Sequence, residues 1–136
     1  HPQLAHYQTW DGVESCTAIG TTGAWNAASG NSAGWQEWSI DLSAYANGYL
    51  KFFLKSYGYT VVQIQTMTGT NAHNYSGAFY NPTTNESGQV VWQQKVIPIT
   101  NFAGAALSSV KSPFMATDPT EDRAFYIDYV RWEKGP

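Results

Sequence analysis

Charge is scarce in this chain: Asp, Glu, Lys and Arg together make up 12% of its 136 residues, about half the share of a typical soluble domain. Seven Lys and Arg against ten Asp and Glu leave a net charge of −3. No basic footprint exists for phosphate or nucleic acid. A second cysteine is missing too. Cys16 alone can form no internal disulfide and no thiolate metal cluster, and it reads as a small buried hydrophobe. No run of about 18 apolar residues occurs, so no helix of the chain is predicted to span a membrane. His1, His6 and His73 are too scattered for a metal site. What is abundant is aromatic, at 15%, and polar without charge: Asn, Gln, Ser, Thr and Gly. That composition suits a surface that hydrogen-bonds hydroxyl-rich ligands.

Strand signals dominate. Tyr49 to Lys55 follows the turn-forming Asn47-Gly48, with Leu50, Phe52 and Leu54 on one face and Tyr49, Lys51, Phe53 and Lys55 on the other. Along Thr60 to Met67, Val62 and Ile64 face the core, while Val61, Gln63 and Gln65 face away. Gln89 to Ile99 and Arg123 to Trp132 are further strands, and Trp35 to Leu42 is a candidate. Leu4 to Trp10, Val13 to Ile19 and Ala105 to Phe114 give weaker signals. Punctuating loops are expected at Gly20 to Gly34, Thr68 to Gly77, Asn81 to Gly88 and Thr117 to Asp122, and one helical turn at Ser43 to Ala46. Short strands, regular turns and no helical period predict an all-β fold, an antiparallel two-sheet β-sandwich or barrel, as a single domain over 1–136.

Two stretches carry a resemblance. Trp35-Gln-Glu-Trp-Ser-Ile-Asp-Leu-Ser-Ala-Tyr45 with the strand after it is similar to a recurrent strand pair of jelly-roll, galactose-binding-like domains. Ser112-Pro113-Phe114-Met115, then Ala124 to Trp132, resembles the closing strand of non-catalytic carbohydrate-binding modules attached to secreted glycoside hydrolases. The resemblance implies a sandwich of jelly-roll type and a polysaccharide partner. It also implies a tethered catalytic domain in a longer protein. Secretion follows from that reading alone, since His1 to His6 has neither the basic start nor the apolar core of a signal peptide. A structural calcium is implied at Asp128, with Asp11 and Glu14 as further ligands.

Sugar rings present flat C–H faces and hydroxyl edges, so a site needs aromatic planes and amides. Trp25 and Trp35 flank a Gly/Ser-rich stretch; Tyr57 and Tyr59 sit at a strand start; Tyr75 and Tyr80 fall in a polar segment; Trp92 neighbours Gln93 and Gln94. Trp38, Phe52 and Phe125 fit core parity instead. The expected site is an outer, concave sheet face where Trp92, Tyr59, Gln63 and Gln65 line one groove, provided their strands share a sheet. Gln94, Trp25, Trp35, Tyr57, Tyr80 and Lys51 would assist. Catalysis is weakly signalled. Gly30-Asn31-Ser32-Ala33-Gly34 matches G-x-S-x-G without a strand-to-helix setting, and Glu37 and Asp41 share parity without split environments. The reading is thus a monomeric module that binds a β-linked neutral cell-wall glycan. A protein-binding or adhesion sandwich, and a small jelly-roll glycosidase or lyase, are the alternatives.

Overall fold

Alternation in Tyr49–Ser56 sets the pattern for the molecule. In the computed structural model, which describes residues 32–35, 41–117 and 125–136, Leu50, Phe52, Leu54 and Ser56 are buried and the residues between them are half-buried. This strand, β2, follows β1 (Ser32–Trp35). After it come β3 (Thr60–Thr68), β4 (Asn71–Tyr80), β5 (Gln93–Pro98), β6 (Val110–Thr117) and β7 (Phe125–Glu133). Among the described residues all pairings between strands are antiparallel, in a four-stranded sheet of order β1-β6-β3-β4 and a three-stranded sheet of order β5-β2-β7. The fold is the predicted all-β, antiparallel two-sheet sandwich of jelly-roll type. The expected helical turn is a 3-10 turn, Ser43–Tyr45. Trp38, Cys16 and the candidate strands before residue 20 lie outside the described residues.

The core lies between the sheets. Leu50, Phe52, Leu54, Ile97, Ile127 and Val130 from one meet Val62, Ile64, Val110, Phe114 and Ala116 from the other. Phe52 and Phe114 touch edge-on across the layers at 5.2 Å. Trp132 is fully buried, and its indole Nε1 donates to the Pro113 carbonyl of the opposite sheet at 3.0 Å, which satisfies the ring's one polar atom. Pro113 lies within the register shift of the β3–β6 ladder, the kind of irregular position at which a strand tolerates proline. Truncating Phe52 to Ala would cost about 3–5 kcal/mol.

Two connections matter for the site. The turn 57–59 carries the chain from β2 in one sheet to β3 in the other. Within the β3–β4 ladder, Val62 faces Ala78 while Gln63 faces Ser76, so Gly77 is an extra, bulged residue. A Cβ on Gly77 would collide with the Phe102 ring, which closes on the bulge from the 3-10 turn Ile99–Asn101 and its cap.

The segment Thr68 to Gly77, expected as a loop, is instead mostly strand. β4 reads as polar because most of its residues are exposed and only Tyr75, Ala78 and Tyr80 pack on the core. The strand expected over Ala105 to Phe114 starts later, at Val110, after a 3-10 turn at Leu107–Ser109. The strand expected from Gln89 begins at Gln93, because Val90 and Val91 are held by bonds to the loop at Thr83 and Thr84.

Candidate functional site

The outer face of the four-stranded sheet is built from the half-buried residues of β3, namely Val61, Gln63, Gln65 and Met67. At its head the Tyr59 ring stacks on Phe79 of β4, with centroids 5.4 Å apart and planes 22° from parallel. Tyr59 is 38% and Phe79 57% exposed, so the pair leaves aromatic surface open to solvent. Past the bulge, Gln63 Nε2 donates to Ser76 Oγ at 2.9 Å, and Gln65 Nε2 donates to Asn74 Oδ1 at 3.0 Å. Gln65 Oε1 is buried without a partner among the described residues. Met115 of β6 stands in register with Gln63 and is half-buried. Neither β3 nor β4 contains an Asp, Glu, Lys or Arg. From Tyr59 to Gln65 the face runs about 20 Å at the usual strand rise, enough for several sugar units.

The outer face of the three-stranded sheet has different chemistry. Lys51 Nζ contacts Glu133 at 2.7 Å, and Arg131 Nε contacts the other Glu133 oxygen at 2.7 Å. The Lys51 hydrogen bond, with Arg131 beside it, holds the Glu133 carboxyl below the usual carboxylate range, against a smaller opposing effect of burial. Tyr57, at the β2–β3 turn, meets Tyr126 edge-on at 6.3 Å.

The expected groove is therefore only half assembled. Tyr59, Gln63 and Gln65 do share a face. Trp92 does not join them: it precedes β5, whose partner is β2, and β3 lies in the other sheet. Trp92 itself is half-buried. Gln94, exposed and in register with Phe53, belongs to β5's sheet, as does Lys51, whose ammonium is paired with Glu133. Tyr80 is a packing residue. Its ring meets Phe52 edge-on at 6.1 Å, Lys95 Nζ sits 4.8 Å from its centroid, and burial pushes its hydroxyl up to about 12. The backbone of Trp35 pairs in register with Phe114. Trp25, Asp11 and Glu14 lie outside the described residues, as does the side chain of Asp128, whose backbone faces Phe53 in β7. Among the described residues no three His, Cys, Asp or Glu side chains come together as a metal site.

Phe79, Ser76 and Asn74 escaped sequence reading because β4 was expected as a loop. A signal existed: Tyr75, Ala78 and Tyr80 are inward residues at strand spacing once one extra residue is allowed at Gly77. Of the residues weighed for catalysis, Glu37 lies outside the described residues. Ser32 sits in strand pairing with Thr117, not at a strand-to-helix turn. Asp41 is exposed and its carboxylate accepts from both the N–H and the hydroxyl of Ser43, which lowers its pKa.

An open aromatic pair followed by amide rungs offers the ring faces and hydrogen-bonding edges that a sugar requires, on a sandwich of the type found in non-catalytic carbohydrate-binding modules. Comparison with known proteins makes the assignment particular: the model of the family Carbohydrate binding domain 30 matches residues 3–134, and the chain belongs to that family. Among solved structures, it is similar to the family 30 module of the cellulosomal cellulase Cel9D-Cel44B of Clostridium thermocellum. That match has TM-score 0.60 and 16% identity over 93% of this chain and 88% of that one. A family 11 module from Clostridium thermocellum, in complex with a β-1,3-1,4-mixed-linked tetrasaccharide, matches with TM-score 0.57 and 14% identity over 93% of both chains. Another family 30 module structure matches with TM-score 0.55 and 16% identity over 77% of this chain, which spans 61% of that one. At these identities the structures bear on the fold alone. No curated protein matches the sequence significantly.

Proposed function

We propose that the outer face of the β1-β6-β3-β4 sheet binds a neutral β-linked glucan and holds it for a catalytic domain tethered to this module in a secreted enzyme. The observation that carries the reading is the open Tyr59–Phe79 pair continued by the Gln63–Ser76 and Gln65–Asn74 rungs, with no Asp, Glu, Lys or Arg on either strand. Stacking on sugar C–H faces uses the ring surface. Each amide nitrogen has a second N–H for sugar hydroxyls, while Gln65 Oε1 is buried and faces away from a ligand. A family 11 module of similar fold was solved with a β-1,3-1,4-mixed-linked tetrasaccharide, which makes a mixed-linked β-glucan the first ligand to test. Tethering raises the local concentration of substrate at the attached enzyme without any chemistry by the module. Affinity electrophoresis in gels carrying mixed-linked β-glucan, xylan, mannan or polygalacturonate tests the ligand class. Retardation by the glucan is expected, and retardation by polygalacturonate alone would overturn it.

A further inference from the structure

The turn that delivers Tyr59 is held from inside the protein. Ser56, Thr60 and Thr83 are buried, at 1%, 0% and 1% exposure. Ser56 Oγ lies 2.7 Å from the Gly58 carbonyl and 2.9 Å from Thr60 Oγ1, and it accepts from Gly58 N at 3.3 Å. A hydroxyl has one proton, and the Gly58 carbonyl can only accept. Ser56 therefore donates to Gly58, and Thr60 donates to Ser56. Thr83 works the same way: its Oγ1 accepts from Ser56 N at 2.9 Å and donates to the Val91 carbonyl at 2.7 Å. The Thr83 backbone N–H also donates to the Ser56 carbonyl at 3.0 Å. These directed bonds leave the three hydroxyls little room to reorganise. They fix both ends of a three-residue crossover whose two tyrosines are both exposed, Tyr57 meeting Tyr126 and Tyr59 stacked on Phe79.

We propose that Ser56 and Thr83, which cannot reach a ligand, are positioning residues for glycan binding: their buried hydroxyls pre-set the crossover so that Tyr59 lies flat on Phe79 before the sugar arrives. The inference rests on the reading of this face as the glycan site. Without the clamp, Gly58 and its neighbours must be ordered when ligand binds, and that ordering lowers affinity. The test is isothermal titration calorimetry of the full chain with mixed-linked β-glucan, well below each variant's melting temperature. Ser56→Ala should bind about tenfold more weakly, with the loss in a more unfavourable entropy and with faster hydrogen exchange at the Tyr59 amide. Thr83→Val should weaken binding likewise, while Thr83→Ser, which keeps the hydroxyl, should bind like the parent; this pair decides the matter if Ser56→Ala does not fold. Tyr59→Ala is the control for the face itself. Unchanged affinity in Tyr59→Ala would remove the face reading. Weakened binding in Tyr59→Ala with unchanged binding in Ser56→Ala, or in Thr83→Val, would overturn the positioning role alone.

Discussion

The two outer faces of the sandwich share one core and one rule of alternation, yet they spend their polar groups differently. On the β5-β2-β7 sheet, Glu133 is engaged on both oxygens by Lys51 and Arg131. Drawing such a pair apart leaves partly desolvated charges uncompensated, so these groups are poorly placed to serve a neutral ligand. On the β1-β6-β3-β4 sheet, Gln63 and Gln65 each donate one bond to a neighbouring strand and keep a second amide N–H. The bond aims the amide without consuming it. Exposed aromatic surface at Tyr59 and Phe79 completes the contrast. A sheet face can thus be solvated by self-paired charge or left receptive by oriented amides, and this molecule does one on each side.

The strongest attack on that comparison is to remove the aromatic pair. Tyr59→Ala combined with Phe79→Ala should reduce glucan affinity by at least about 100-fold, on the scale of two exposed ring contacts. Denaturant unfolding should show a stability change below about 1 kcal/mol, as expected for surface truncations. Collapse of stability with binding lost in proportion would make the pair structural. A smaller effect is expected from the amides. Gln63→Ala and Gln65→Ala, measured one at a time by calorimetry, should each weaken binding roughly five- to tenfold, the size of one or two hydrogen bonds. Equal affinity in both would shift the ligand toward β1 and β6.

How much of this was legible depends on which question is put to the residues. Period-two alternation gave the inward and outward sides of β2 and β3 correctly, because each strand carries three or more large apolar residues or β-branched residues at alternate positions. Parity says which side of its own sheet a residue faces and nothing about which sheet that is. Trp92 and Gln63 were therefore expected together and stand apart. β4 was hidden by the Gly77 bulge, which breaks its alternation, while Pro113 and the neighbouring serines left β6 only a weak signal whose expected bounds began too early.

Two finer tests address the charged face. Trp92→Ala should lower stability by about 1–2 kcal/mol, as a half-buried ring, and leave glucan affinity within about twofold; a large loss of affinity at preserved stability would return Trp92 to the site. Glu133→Gln probes the ion cluster. Lys51 and Arg131 depress the folded-state pKa of Glu133, so its contribution is present above the ordinary glutamate value of about 4.3 and is lost as pH falls through the lower folded value. That contribution should be below about 1 kcal/mol. Thermal melts from pH 7 to pH 3 should show the parent losing slightly more stability than the variant. Parallel curves would mean the cluster adds nothing, and a change in glucan affinity would mean the faces are coupled.

The bulge at Gly77 has a bearing on how many copies can crowd together. β4 is the last strand of its sheet among the described residues, ten residues long and largely uncharged, and such an edge is a template for fibrillar stacking. Here Asn101 Nδ2 donates to the Gly77 carbonyl at 3.2 Å, and the Phe102 ring occupies the space where a side chain would stand. The edge is interrupted midway. Wherever modules crowd together, a strand that cannot present a continuous ladder is a poorer template for edge-to-edge pairing. Deleting Gly77 would remove the extra residue and make the β3–β4 ladder continuous, so a deletion variant that still binds glucan should aggregate on it more readily than the parent.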